Sequence, residues 1–178
     1  MQPADVVNFW TEAGAKRWFK KDAEFDAEVR ARFEPLHHAA AHRELDGWAV
    51  SAEGALALLL LLDQFPRNMF RGSPHAFATD PLARLHAGQA VDAGYDAMVA
   101  PSLRQFFYLP FEHSESMEDQ ERACALCEAS GDAYLTHWAT LHRDIIQRFG
   151  RFPHRNAALA RQTTDEEAAF LQSGGFAG

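Results

Sequence analysis

The sequence predicts an all-α fold, a single-domain helical array of about seven to nine helices. Three observations carry this. Apolar residues recur at spacings of three and four through nearly every segment, no stretch sustains the two-residue alternation of a half-buried strand, and glycines and prolines stand where helices should end or begin.

Pro3 suits the first turn of a helix bearing Val6, Val7, Phe9 and Trp10, because its missing N–H has no helical partner there; Gly14 should end it. A second helix is expected from about Phe25 to Leu45, with Phe25, Val29, Phe33 and Leu36 on one stripe and Pro35 as a kink. Ser51 is the expected N-cap of a helix that reads through Leu56 and Leu58 to Leu62 and stops before Pro66. Leucines on every side of it imply a central, buried position. Thr79, Asp80 and Pro81 open the next helix, which should end near Gly94. Two prolines bracket the aromatic segment "APSLRQFFYLPF", and Ser116 with Asp119 resembles a capping box for a helix ending near Gly131.

Residues 132–149 give the clearest pattern, with Tyr134, Trp138, Leu141, Ile145 and Phe149 at spacings of four, three, four and four, and Gly150 at the C′ position. Thr164 and Glu167 match the Ser/Thr-x-x-Glu capping box of a last helix carrying Phe170 and Leu171 inward. The closing "SGGFAG", residues 173–178, should fray.

Composition narrows the function classes. The chain has 178 residues, 47% hydrophobic and 24% charged, the profile of one ordinary globular domain spanning 1–178. A net charge of −8 disfavours general nucleic-acid or membrane-surface binding, which needs an extended basic face. The apolar run "ALALLLLL" is too short to span a bilayer, and the N-terminus shows no secretory pattern, so a cytoplasmic protein is expected. Cys124 and Cys127, three apart in a helical pattern, read as small buried hydrophobes.

Against this acidic background, residues 143–161 hold five arginines and one aspartate. The segment "RFGRFPHRN" at 148–156 is echoed by "DQFPRNMFRG" at 63–72. Arginine's planar fork suits carboxylate or phosphate, so two readings arise: the arginines pair with carboxylates such as Asp63 and Glu115, or they hold an anion from outside. Gln64, Arg67, Asn68, Arg151, His154, Arg155 and Asn156 would line the second kind of site.

His113, Ser114 and Glu115 stand in succession, but adjacency in sequence is not triad geometry, and His113 and Glu115 are read as capping or pocket-lining residues. His142 falls against the apolar stripe and reads as a hydrogen-bonded core histidine. His113, His142 and His154 are the weak candidates for proton transfer, since a histidine titrates near neutral pH. Nine histidines occur, yet no spacing selects a ligand set, so neither metal nor cofactor is expected.

The runs "LLLDQFPRNMFRGSPHAFATD", "FYLPFEHSE" and "HRDIIQRFGRFPHRNAALAR", with "FW", "WF" and "FD" near the N-terminus, resemble the bacterial domain-of-unknown-function 924 family over almost the whole chain. The resemblance implies a tetratricopeptide-like helical fold and brings no assigned activity. Its motifs contain Asp63, Gln64, Arg67, Asn68, His113, Glu115, Arg151, His154, Arg155 and Asn156, the positions expected to bind a ligand. Two functions are therefore expected as alternatives. One is a pocket for a small phosphate ester or carboxylate formed by the 63–72 and 148–156 segments, with acid/base catalysis by histidine if the protein is an enzyme. The other is a tetratricopeptide-like module taking an acidic peptide, although that repeat signature is not legible here.

Overall fold

A computed structural model describes residues 1–176, and among them every regular element is helical. Ten α-helices occur: α1 Pro3–Ala13, α2 Ala15–Trp18, α3 Ala23–Ala41, α4 Ala52–Leu59, α5 Phe65–Met69, α6 Asp80–Asp92, α7 Gln105–Glu112, α8 Met117–Ser130, α9 Ala133–Phe149 and α10 Asp165–Gln172. Short 3₁₀ turns link several of them, and a π-helical turn, Leu60–Gln64, joins α4 to α5. The chain forms two compact units, Met1–Arg71 with His75–Pro110, and Gly72–Pro74 with Phe111 onward.

The first unit is organised around α4. Ser51 caps it by accepting from the Gly54 N–H at 3.2 Å, and Leu56 to Leu62 are all at most 1% exposed. The all-round leucine pattern is thus satisfied by burial on every side. Gly54 is required by proximity: a Cβ there would lie 2.0 Å from the Trp48 carbonyl oxygen. Trp10 on α1, Phe25 and Phe33 on α3, Phe65 and Phe106 pack in a chain of aromatic contacts, the closest being Phe33 to Phe65 at 4.8 Å between centroids. α3 begins at the Asp22 cap and continues through Pro35.

The helix does not stop before Pro66, as the sequence suggests. It widens instead. The Phe65 N–H bonds five residues back to the Leu60 carbonyl rather than to Leu61, and Pro66 has no N–H for Leu62. Two buried carbonyls are thereby left for side chains. Leu61 O takes His37 Nδ1 at 2.8 Å, and Leu62 O accepts from Thr79 Oγ1 at 2.6 Å. The backbone demand that a proline creates inside a buried helix is met by two tertiary hydrogen bonds.

The second unit is built on an α8–α9 hairpin. Gly131, at φ 72°, turns the chain, and Asp132 caps α9 by accepting from the Tyr134 and Leu135 N–H groups. The buried face of α9 is Leu135, Ala139, His142, Ile145 and Ile146, a small rotation from the expected stripe, so Tyr134 is left exposed. Gly150 adopts φ 69° and closes the helix as its C′ residue, its N–H reaching Ile146 O at 2.8 Å. Phe152 then joins Ile145 and Ile146 in the core, with Phe149, Phe170 and Phe176 packed around them.

The last helix carries the full capping box: Thr164 Oγ1 accepts from Glu167 N at 3.2 Å and Glu167 Oε2 from Thr164 N at 2.8 Å. Phe170 turns inward onto Phe149 at 5.1 Å, while Leu171 stays half-buried. The expected box at α8 is different. Ser116 makes no side-chain cap; Asp119 accepts instead from Ser114 Oγ at 2.5 Å, and Ser114 Oγ accepts from Ser116 N. A serine two residues earlier reaches the first turn because the chain tightens before α8. Of the expected frayed tail, residues 177 and 178 lie outside the described residues, whereas Phe176 packs against Trp138, His142 and His154.

Candidate functional site

Arg67, Asn68 and Arg71 of the first echoing segment, and Arg148, Arg151 and Asn156 of the second, are engaged by carboxylates. In the first unit, Arg67 forms a two-pronged pair with Asp80 at 2.9 and 3.0 Å and also lies 3.2 Å from Asp63. Burial opposes its charge, but Asp63 and Asp80 outweigh it and hold the guanidinium's proton above the ordinary arginine range. Asn68 donates to Asp26 Oδ1 at 2.7 Å, and Arg71 forks onto the same carboxylate. Gln64 donates to Asp63 at 2.5 Å. The wide turn thus ends in a polar knot that ties α5 to α3 and α6.

The 148–156 segment is tied to its own unit in the same manner. Arg151 forks onto Glu167 at 2.6 and 2.9 Å, and Asn156 donates to Glu167 at 3.1 Å. With Arg151 as the strongest influence and the Thr164 donors adding to it, the Glu167 carboxyl is lowered to about 2. Glu115 is half-buried, which raises its pKa, yet Arg161 at 2.8 Å and the Phe152 N–H at 2.9 Å more than compensate and lower it overall. Glu115 is therefore the counter-charge of Arg161.

Glu112, at the end of α7, places Oε2 3.0 Å from His142 Nδ1, with both side chains buried. Cys127 donates its thiol toward the other oxygen of Glu112 at 3.7 Å, and burial followed by the Glu112 charge pushes that thiol's pKa upward. His142 packs edge-on to Phe152 at 5.7 Å and faces His113 at 6.3 Å. His154 lies on the same Phe152 ring at 5.5 Å, and the Arg155 guanidinium covers it at 4.5 Å. One phenylalanine therefore gathers His142, His154 and Arg155, while Phe176 packs edge-on to both histidines at 4.8 and 5.2 Å. A shallow depression of about 530 Å³ on the α8–α9 hairpin is lined by other residues, among them Glu128, Thr136 and His137.

Sequence reasoning did not identify Glu112, Asp26, Asp80 and Glu167 as partners of these side chains; Asp80 was legible only as the opening of a helix and Glu167 only as half of a capping box. It also missed a second histidine group in the first unit: one ring nitrogen each from His37, His38 and His75 lies within 4.8 Å of the others. The "HH" pair on a helix and the "PH" that follows a glycine turn were the available signals, and their separation by 37 residues concealed them.

These features define a class first: an all-α protein whose polar motifs fasten helices to one another and leave histidines grouped on phenylalanine rings. The chain belongs to the bacterial protein family of unknown function DUF924, whose model matches residues 6–175. It is similar, at 55% identity and a TM-score of 0.93 over 97% of each chain, to a solved structure of a protein of unknown function from Agrobacterium tumefaciens. No curated protein matches it. No described helix is long and apolar enough to cross a membrane.

Proposed function

We propose that the protein binds a small anionic ligand, a phosphate ester or carboxylate, at the 148–156 segment, with His142 as the group that moves a proton. The carrying observation is the buried Glu112–His142 pair. A carboxyl oxygen can only accept from an imidazole N–H unless it is itself protonated, so Glu112 fixes His142 with Nδ1 protonated and Nε2 left as the exchanging nitrogen. This is the arrangement that orients a general base.

Arg155 supplies a guanidinium beside the His142 ring. Arg155 and His154 share the Phe152 ring with His142, and arginine's fork matches the oxygens of a phosphate or carboxylate. Asp63, Gln64, Arg67 and Asn68 are engaged within the first unit. An anion at Arg67 or Asn68 would have to displace Asp80 or Asp26, so these residues serve the fold of their own unit. Arg151 and Asn156 likewise hold Glu167, which positions the start of α10.

The test is thermal-shift screening with inorganic phosphate and a series of phosphorylated and carboxylated metabolites, comparing wild type with Arg155→Lys and His142→Asn. Anions of one class should raise the wild-type melting temperature, and Arg155→Lys should remove that rise without altering the helical circular-dichroism spectrum. The reading fails if no anion stabilises the wild type, or if Arg155→Lys responds as the wild type does.

A further inference from the structure

We infer that His37, His38 and His75 in the first unit form a binding site for a divalent transition-metal ion of the zinc class. Two independent observations support it. One ring nitrogen from each histidine lies within 4.8 Å of the other two, and His37, which is fully buried, has a buried Nε2 with no hydrogen-bond partner among the described residues.

The electronic state of that nitrogen follows from the backbone. His37 Nδ1 is 2.8 Å from the Leu61 carbonyl oxygen, which can only accept, so Nδ1 carries the proton and Nε2 carries a lone pair. A neutral imidazole whose far N–H is held by a backbone carbonyl is the ordinary form of a zinc-ligating histidine. An unsatisfied buried nitrogen is costly, and a metal ion is one partner that removes the cost.

The π turn explains why Leu61 is available. In a regular α-helix its carbonyl would receive the Phe65 N–H; here that N–H goes to Leu60, and the carbonyl is left to orient His37. His38 follows on α3, and His75 enters from the 3₁₀ turn Pro74–Phe77, its ring stacked on Phe70 at 4.1 Å. His38 and His75 are partly open to solvent, which supplies an entry path. Three imidazoles leave a fourth position for water or a ligand, and imidazole donors suit zinc, copper, nickel and cobalt rather than magnesium or calcium. Bonds of about 2.0–2.1 Å would draw the three nitrogens closer, a movement that the two outer side chains can supply.

The experiment uses the full-length protein stripped with a chelator and titrated calorimetrically with Zn²⁺, with Co²⁺ absorption as the second readout. The wild type should take up one equivalent, and His38→Ala with His75→Ala should weaken binding by about 100-fold or more. The paired variant His142→Asn with His154→Asn should bind as the wild type does. His37→Gln is secondary, because that buried position bears on folding. A cobalt spectrum without thiolate charge transfer is expected, since Cys124 and Cys127 are not ligands. Absence of stoichiometric Zn²⁺ uptake, uptake unchanged in the His38/His75 variant, or thiolate charge transfer would each overturn the site. None of these results bears on anion binding in the second unit, so the two proposals fail separately.

Discussion

The two Phe-Pro segments begin alike and finish differently. In the first, Arg67 and Asn68 are held by Asp80 and Asp26; in the second, Glu167 holds Asn156 together with Arg151, which precedes the Phe-Pro pair. Their prolines act in opposite ways. Pro66 sits within a continuous helical path, where its missing N–H accompanies a π turn, while Pro153 opens a 3₁₀ turn, where no N–H is needed. Each segment also stands beside a phenylalanine ring with histidines around it: Phe70 with His37, His38 and His75, and Phe152 with His142 and His154. What distinguishes the histidines is the atom behind them. A carbonyl behind His37 leaves a metal-ligating lone pair, whereas a carboxylate behind His142 suits proton transfer.

Breaking the shared part of the motif should have the largest effect. Asp80→Ala leaves the Arg67 guanidinium buried beside one fewer carboxylate, and denaturant unfolding should show a loss of about 3–5 kcal/mol, the range for a broken buried pair. Replacing the α4 cap, Ser51→Ala, should cost about 1 kcal/mol in the same measurement. Glu28→Gln, which removes an exposed pair with Arg32, should change stability by less than about 0.5 kcal/mol.

Acid titration sharpens the second segment. The folded pKa of Glu167 lies below its ordinary 4.5, at about 2, so the folded state binds this proton less readily than the unfolded chain. Its contribution is therefore complete above pH 4.5 and is lost as pH falls toward 2. The stability difference between wild type and Glu167→Gln should be constant near neutrality and shrink across that window, as followed by urea unfolding at successive pH values.

Much of this architecture was legible. The capping signals at Ser51 and Thr164, the C′ glycine at 150 and the leucine run all depend on neighbours in sequence, and each holds in the structure. The partners of the arginines were less so. Arg67 finds Asp80 thirteen residues away and Asn68 finds Asp26 forty-two away, distances at which local periodicity carries no information. Pro66 misled for a related reason: read locally it ends a helix, and only the tertiary donors His37 and Thr79 make the wide turn tolerable. The same long-range step assembled His37, His38 and His75, which the sequence alone did not select.

Pro66→Ala isolates that step. It restores an N–H opposite Leu62, should favour a regular helix, and should weaken Zn²⁺ binding without touching a histidine. The central claim, that backbone chemistry in one unit and a carboxylate in the other set the histidines to different tasks, is tested most directly by long-range ¹H–¹⁵N correlation of the imidazole nitrogens at neutral pH, before and after one equivalent of Zn²⁺. His37 should appear neutral with its proton on Nδ1, and Zn²⁺ should move the His37, His38 and His75 nitrogens while leaving His142 in place. A His37 protonated on Nε2, or a metal-induced shift confined to His142 and His154, would contradict it.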